Sequence, residues 1–168
     1  MLVKILLMHK NKKIFFVDAM LEKKKKKLRF FGYDTLYFSN IEDEKILDML
    51  KNDNRILITK DEQLSRKASK QNTQAILLPN KKEVEQLIQI KNQLEMDNFS
   101  IDLNNARCTL CNSNLIDVDT FQIKNQVPDK VLMSTKNFWK CNNCNKIYWE
   151  GTHIIKLGKL VDIINERH

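Results

Sequence analysis

The sequence predicts an α/β protein: a parallel-sheet domain with helices on both faces over residues 1–95, then a small cysteine-bearing domain. Two observations carry this. From Ile14 to about Glu95, short apolar runs alternate with stretches of helical periodicity, the pattern of repeated β-α units. From Arg107 onward the texture changes to paired cysteines, aromatics and short β-like runs.

Ile14-Phe-Phe-Val-Asp18 reads as the first strand, a compact apolar run ending at an acid. Leu21 to Phe31 follows as a helix stopped by Gly32. Thr35 to Phe38 is the second strand, entered through the Gly32-Tyr33-Asp34 turn. Asp43 to Leu50 is the second helix, with Ile46, Leu47 and Leu50 on one face and acids in its first turn, where the dipole favours them. Arg55 to Thr59 is the clearest strand, and a helix over Asp61 to Lys70 follows it. Ala75 to Leu78, closed by Pro79, is the fourth strand. Lys82 to Glu95 is an amphipathic helix with Val84, Leu87, Ile88 and Leu94 at core spacing. Residues 96–106 lack a clean period and read as a linker. Residues 107–156 form the second domain, and 157–168 a helical tail with Leu160, Val161, Ile163 and Ile164 available for docking.

The 168 residues are 42% apolar, enough to bury a core, which argues against a disordered chain. Met1 to Met8 is apolar first and basic afterwards, the reverse of a secretory signal. No segment reaches the ~18 apolar residues of a membrane helix. These features predict a soluble chain in the cytoplasm, where cysteines stay reduced and serve more often as metal ligands than as disulfides. The net charge of +8 suits a polyanionic partner, since lysines facing phosphates release condensed counterions. The abundance of lysine and asparagine is equally what an AT-rich coding sequence produces.

Cys108-Thr-Leu-Cys111 and Cys141-Asn-Asn-Cys144 are two C-x-x-C pairs, and they hold every cysteine in the chain. Zinc takes four such thiolates in a tetrahedron, two from each tight knuckle. Asn112 and Asn145 follow the second cysteine of each pair, where the knuckle turns through a left-handed residue that asparagine tolerates. The reading is one structural Zn2+; disulfides or a redox pair are the alternatives. A closed four-thiolate site leaves no position for substrate, so this zinc folds a small domain and does not catalyse. The 29 residues between the pairs must hold a hairpin or an extended loop, with Val127-Pro128 as its break.

In a parallel sheet the residues after successive strands gather at one edge, where such folds place their ligands. Asp18, Asp43 and Asp61 fall there. Carboxylates at such an edge hold Mg2+ or Mn2+, which activate water and stabilise charge developing on a phosphate. The plain alternative for Asp43 and Asp61 is helix capping. Asp18 is harder to explain that way, because it ends an apolar strand.

Phe16-Val-Asp-Ala-Met-Leu21, Leu28-Arg-Phe-Phe-Gly-Tyr-Asp-Thr35, Ile56-Leu-Ile-Thr-Lys-Asp61 and, most specifically, Phe138-Trp-Lys-Cys-Asn-Asn-Cys-Asn-Lys-Ile-Tyr-Trp-Glu-Gly-Thr-His153 carry a resemblance. In these stretches the chain resembles the PIN-like RNase family of the Mut-seven C-terminal type, from Ile14 to His153 in the same order. The resemblance implies a PIN-like domain fused to a zinc ribbon, with divalent-metal RNase activity. By motif position, Asp18 matches the aspartate of a V-D-A-M-L box, Asp43 the acid opening the second helix, and Asp61 that of a T-x-D box. Glu44 and Glu62 are the candidates for a fourth acid. The chain departs from the family where L-G-x-L-A-R-W-L-R is usual: here Glu22 and Lys23 to Lys27 stand, and only Leu28 and Arg29 agree.

The lysine block is longer than one helical turn, so it cannot all face one way. It is either a solvated face, its stems covering apolar surface, or a cradle for RNA phosphates beside Asp18, formed by Lys23, Lys24, Lys26, Lys27 and Arg29 with Lys60 and Arg66. Trp139, Tyr148 and Trp149 pack the ribbon or stack on an unpaired base, with Trp149 the candidate RNA contact. His153 is a structural hydrogen-bonder or a further RNA contact. The leading function is a metal-dependent endoribonuclease. A non-catalytic RNA-binding or ribosome-associated module is the alternative, and DNA cleavage a third class, since phosphodiester chemistry and basic grooves look alike in sequence.

Overall fold

Strand β1 (Phe15–Val17) pairs in parallel with β2 (Thr35–Leu36) on one side and β3 (Ile56–Thr59) on the other, and β4 (Ala75–Leu77) completes the order β2-β1-β3-β4. The computed structural model describes residues 12–167, so the reading of Met1 to Met8 lies outside the described residues. The strands run apolar without alternation because both faces of the sheet are covered. Phe15, Val17, Ile56 and Ile58 meet helices α1 (Glu22–Phe30) and α4 (Glu83–Gln93) through Leu28, Phe30, Leu87 and Ile90. Phe16 and Leu57, one residue out of step, meet α2 (Asp43–Asp53) and α3 (Glu62–Lys70) through Ile46, Leu47, Leu50 and Leu64. The chain steps from β1 to β2 in one direction and from β2 past β1 to β3 in the other. Right-handed crossovers then put α1 and α2 on opposite faces, as observed.

Helix α1 ends at Gly32, whose φ is +82°. A Cβ there would stand 2.7 Å from the Asn105 backbone oxygen, so no other residue fits without a shift. Asn54, at φ +53°, closes α2 in the same left-handed way. The lysine block is partly internal: Lys24 and Lys25 are buried, Lys24 against Glu83 at 3.2 Å and Lys25 with its ammonium 4.2 Å from the centre of the Tyr37 ring.

Residues 96–106, expected as a linker, run as a strap fixed to the core. Phe99, Leu103 and Ala106 are buried, and Phe99 stacks on Phe31 with ring centres 4.7 Å apart. The strap is clamped at both polar groups of Phe99: its N–H donates to Asn165 Oδ1, and Asn165 Nδ2 donates to its carbonyl.

The second unit is an antiparallel sheet in the order β5 (Leu115–Val118), β6 (Phe138–Cys141), β7 (Ile147–Trp149). Where a hairpin or extended loop was expected, two short helices stand, α5 (Thr120–Ile123) and α6 (Asp129–Ser134). Each spans between one and two turns, too short for hydrophobic periodicity to show in sequence. Asp119 caps α5, while Pro128 opens α6 at the expected break. The last helix, α7 (Thr152–Glu166), begins five residues before the predicted Leu157; Leu157, Val161 and Ile164 are its buried residues, and in its first turn Ile154 packs against the core while Ile155 is exposed. One core runs through both units, joining Phe15, Leu28 and Ile90 to Cys108, Leu115, Tyr148 and Val161. Among the described residues no helix is long and apolar enough to cross a membrane.

Candidate functional site

The order β2-β1-β3-β4 reverses between β1 and β3, and a crevice opens at the carboxyl ends of such a pair. Asp18 follows β1, and Thr59 ends β3 two residues before Asp61. The hydroxyl of the fully buried Thr59 donates to Asp18 Oδ2 at 2.7 Å and accepts the Asp61 N–H at 2.9 Å. Asp18 is further fixed by its own N–H, which donates to the Ile58 carbonyl at 3.0 Å. Asp61 Oδ1 caps α3, accepting from the N–H groups of Gln63 and Leu64 at 2.7 and 3.0 Å.

Asp43 opens α2 but does not cap it; its Oδ2 accepts from Lys67 Nζ on α3 at 2.9 Å. Glu44 stands 4.0 Å from the same ammonium. The Asp43 hydrogen bond, then the charges of Asp43, Glu44 and Asp61, raise Lys67 above the ordinary lysine value. Asp18 and Asp61 are thus bridged by Thr59, while Asp43, Glu44 and Asp61 share a lysine counter-ion. Glu62 turns to Arg66 on the exposed side of α3, at 3.1 Å. Among the described residues the three aspartates do not close into a compact ligand set; the cysteines alone do so. Thr59 and Lys67 were missed in the sequence. Thr59 lay within the quoted Ile56-to-Asp61 run, whereas nothing distinguished Lys67 from the other lysines.

The four sulfurs lie within 4.8 Å of one another. A tetrahedron of Zn–S bonds of about 2.3 Å needs sulfurs about 3.8 Å apart, so the cluster can hold zinc. Both knuckles turn through left-handed asparagines, Asn112 at φ +70° and Asn145 at φ +62°, and the N–H groups of Asn143 and Cys144 donate to Cys141 Sγ at 3.4 Å. The thiols are electrostatically split. Burial pushes Cys111 up, but hydrogen bonds from Ser113 outweigh it and draw the thiol down to about 5. Burial and the neighbouring sulfurs push Cys144 up to about 12. A bound divalent cation would offset the repulsion that keeps the set from ionising together.

Two residues expected to touch RNA are internal. Arg29, 4% exposed, donates through Nε and Nη2 to the Thr35 carbonyl at 3.0 and 2.7 Å, and through Nη1 to the carbonyls of Thr109 and Leu110, both at 3.0 Å. It is a strut between α1, edge strand β2 and the first knuckle, not a phosphate contact. Asn112 completes the joint, accepting from the Thr35 N–H and donating to Asp34, each at 3.0 Å. The polar groups of the β2 edge are thereby covered. Lys24 is likewise buried and paired with Glu83.

The remaining candidates are accessible. Lys23 is exposed, Lys26 pairs with Glu22 at 2.8 Å, Lys27 with Glu83 at 3.1 Å, and Lys60 is half-buried beside Asp61. Arg66 lies on α3, across the sheet from α1. Trp149 is half-buried and His153 exposed on the first turn of α7. Trp139 and Tyr148 are core residues, the first donating to Asn104 Oδ1 at 2.9 Å, the second bonded through its hydroxyl to the Thr109 N–H at 2.9 Å.

Residues 13–161 match the family model described as the Mut7-C RNAse domain. No curated protein matches the chain.

Proposed function

The chain belongs to the Mut7-C RNAse domain family, which points to a ribonuclease-type function, and from that premise we propose a divalent-metal-dependent endoribonuclease of PIN-like architecture. The observation that carries the proposal is the Thr59 bridge, whose hydroxyl ties the Asp18 carboxylate to the Asp61 backbone N–H at the sheet's switch point. Hydrogen-bonded support of this kind orients carboxylates for a metal ion. Asp18 and Asp61 offer hard oxygen donors from the sheet, and Asp43, with Glu44 as the fourth acid, offers them from α2. A divalent cation such as Mg2+ or Mn2+ held by these carboxylates would supply an activated water and offset charge developing on the phosphate. Lys67 keeps Asp43 in place through their hydrogen bond and yields that oxygen when the acids converge.

The test is cleavage of a labelled RNA in Mn2+ by the wild type, Asp18→Asn and Asp61→Asn. Each variant should lose on the order of 10²–10³-fold in rate while still binding RNA, since a charge-stabilising group has gone but the basic surface has not. Cleavage by Asp61→Asn at the wild-type rate refutes the site. A second reading, a non-catalytic RNA-binding module, is favoured by the ammonium of Lys67 standing among the acids. It predicts salt-sensitive binding with no cleavage at any Mn2+ concentration. Running RNA and DNA side by side identifies the preferred substrate.

A further inference from the structure

A groove of about 780 Å³ lies between α1, the first knuckle, β7 and the start of α7. Its floor is apolar, with Phe30, Leu110, Tyr148, Trp149 and Leu157 among the lining residues. Leu110, at the tip of the knuckle, is 59% exposed, an odd place for a leucine that serves only the fold. Five lysines line the groove: Lys23, Lys26, Lys27, Lys146 and Lys156. The single acid in its wall, Glu83, is taken up by Lys24 and Lys27 at 3.2 and 3.1 Å. Lys23 and Lys156 have no charged partner among the described residues, and the positive end of α7 opens in the wall at Thr152 and His153.

An apolar floor inside a cationic rim is what a single-stranded nucleic acid requires: flat bases with a free face, and phosphates at regular spacing. A-form duplex offers the phosphates but keeps its base faces stacked. The basic rim also starts close to the acids, because α1 begins at Glu22, four residues after Asp18, and Lys23 and Lys26 stand in its first turns. We propose that this groove, built jointly by the lysine run of α1 and the cysteine unit, binds the unpaired RNA segment that flanks the cleaved phosphate. Bases lie against Leu110 and Trp149, and phosphates meet Lys23, Lys146 and Lys156. The inference rests on the ribonuclease reading, of which it names the substrate form.

The experiment uses the full zinc-loaded chain carrying Asp61→Asn, so that RNA survives, and a fluorescein-labelled 12-nucleotide RNA offered as single strand and as duplex. Lys23→Glu combined with Lys156→Glu should weaken single-strand binding roughly tenfold or more and lower the salt slope by about 1.4, two single-strand phosphate contacts. Leu110→Asp, which leaves every lysine in place, should weaken it by a similar factor. Zinc content and melting temperature verify that the variants are folded. A 4-thiouridine probe should crosslink to the segment 146–157. Unchanged affinity in both variants, a crosslink elsewhere, or an equal loss for the duplex overturns the groove. Cleavage by the unsubstituted chain is scored separately. Groove binding without cleavage keeps this inference and removes the nuclease, whereas cleavage with variants that bind normally does the reverse.

Discussion

The Thr59 hydroxyl is a two-sided joint, giving its hydrogen to Asp18 Oδ2 at 2.7 Å and receiving the N–H of Asp61 at 2.9 Å. Because Thr59 is fully buried at the end of β3, the joint sets the spacing of the two acids through the backbone of adjacent strands.

Thr59→Val keeps the shape and the β-branch but loses both bonds. Cleavage should fall about 10–100-fold, with the half-saturating Mn2+ concentration rising, as when the hydrogen-bonded support of a metal ligand is removed. Thr59→Ser should recover most of the loss. A Val variant with wild-type Mn2+ dependence would show that the bridge only supports the fold.

Lys67 competes with any cation for Asp43. Lys67→Met should lower the half-saturating Mn2+ concentration about two- to fivefold, the scale of one exposed ion pair. Mn2+ binding followed by electron paramagnetic resonance checks this without relying on turnover. An unchanged titration would leave the ammonium as a permanent occupant, in favour of the non-catalytic reading.

Arg29→Leu strips hydrogen bonds from three backbone carbonyls, two of them in the first knuckle. Urea denaturation of the zinc-loaded protein should show a loss of about 2–4 kcal/mol. Arg29→Lys should recover little, since an ammonium cannot span both carbonyl groups as the guanidinium fork does. RNA affinity per folded molecule should not change, which separates a strut from a phosphate contact.

Zinc removal should act beyond the cysteine unit, because Cys108, Tyr148 and Val161 share one core with Phe15 and Ile90. Titration with a chelator, followed by circular dichroism, should give a single transition in which the parallel-sheet domain also loosens. Loss of ellipticity from the cysteine unit alone would show that the two units unfold separately.

Asp34 provides a pH signature. Burial pushes its carboxyl up, but the hydrogen bond from Arg55 at 2.6 Å, that from Asn112, and the charges of Arg55 and Arg107 outweigh burial and hold it below the usual value. A carboxyl lowered in the folded state stabilises fully above its unfolded value, about 3.9, and that stability is lost as pH falls through the folded value. The stability difference between wild type and Asp34→Asn should be flat from pH 5 to 8 and shrink below about pH 4. A gap that widens on acidification would contradict this assignment.

Local pattern located most elements. Phe15 to Val17, Ile56 to Thr59 and the face of Ile46, Leu47 and Leu50 were legible because periodicity reports which side of an element is buried. The knuckles were legible because C-x-x-C followed by asparagine is a self-contained backbone turn. Helices α5 and α6 escaped because so few turns leave no period to read, and residues 96–106 because irregular chain gives no sign of whether it is buried.

What the amino-acid sequence determined by itself, then, is the succession of strands and helices, the four-sulfur cluster, and the positions of Asp18, Asp43 and Asp61 near the ends or starts of their elements. Tertiary structure decided the partners: Arg29 bonded to a carbonyl 80 residues away, Lys24 turned inward to Glu83, Thr59 joining two acids, and Lys67 standing beside a third. The reason is physical. A residue's place on its own element follows from local geometry, but the group that faces it is set by how distant elements pack, and a cation can meet a phosphate or a buried carbonyl without any change in its neighbouring sequence.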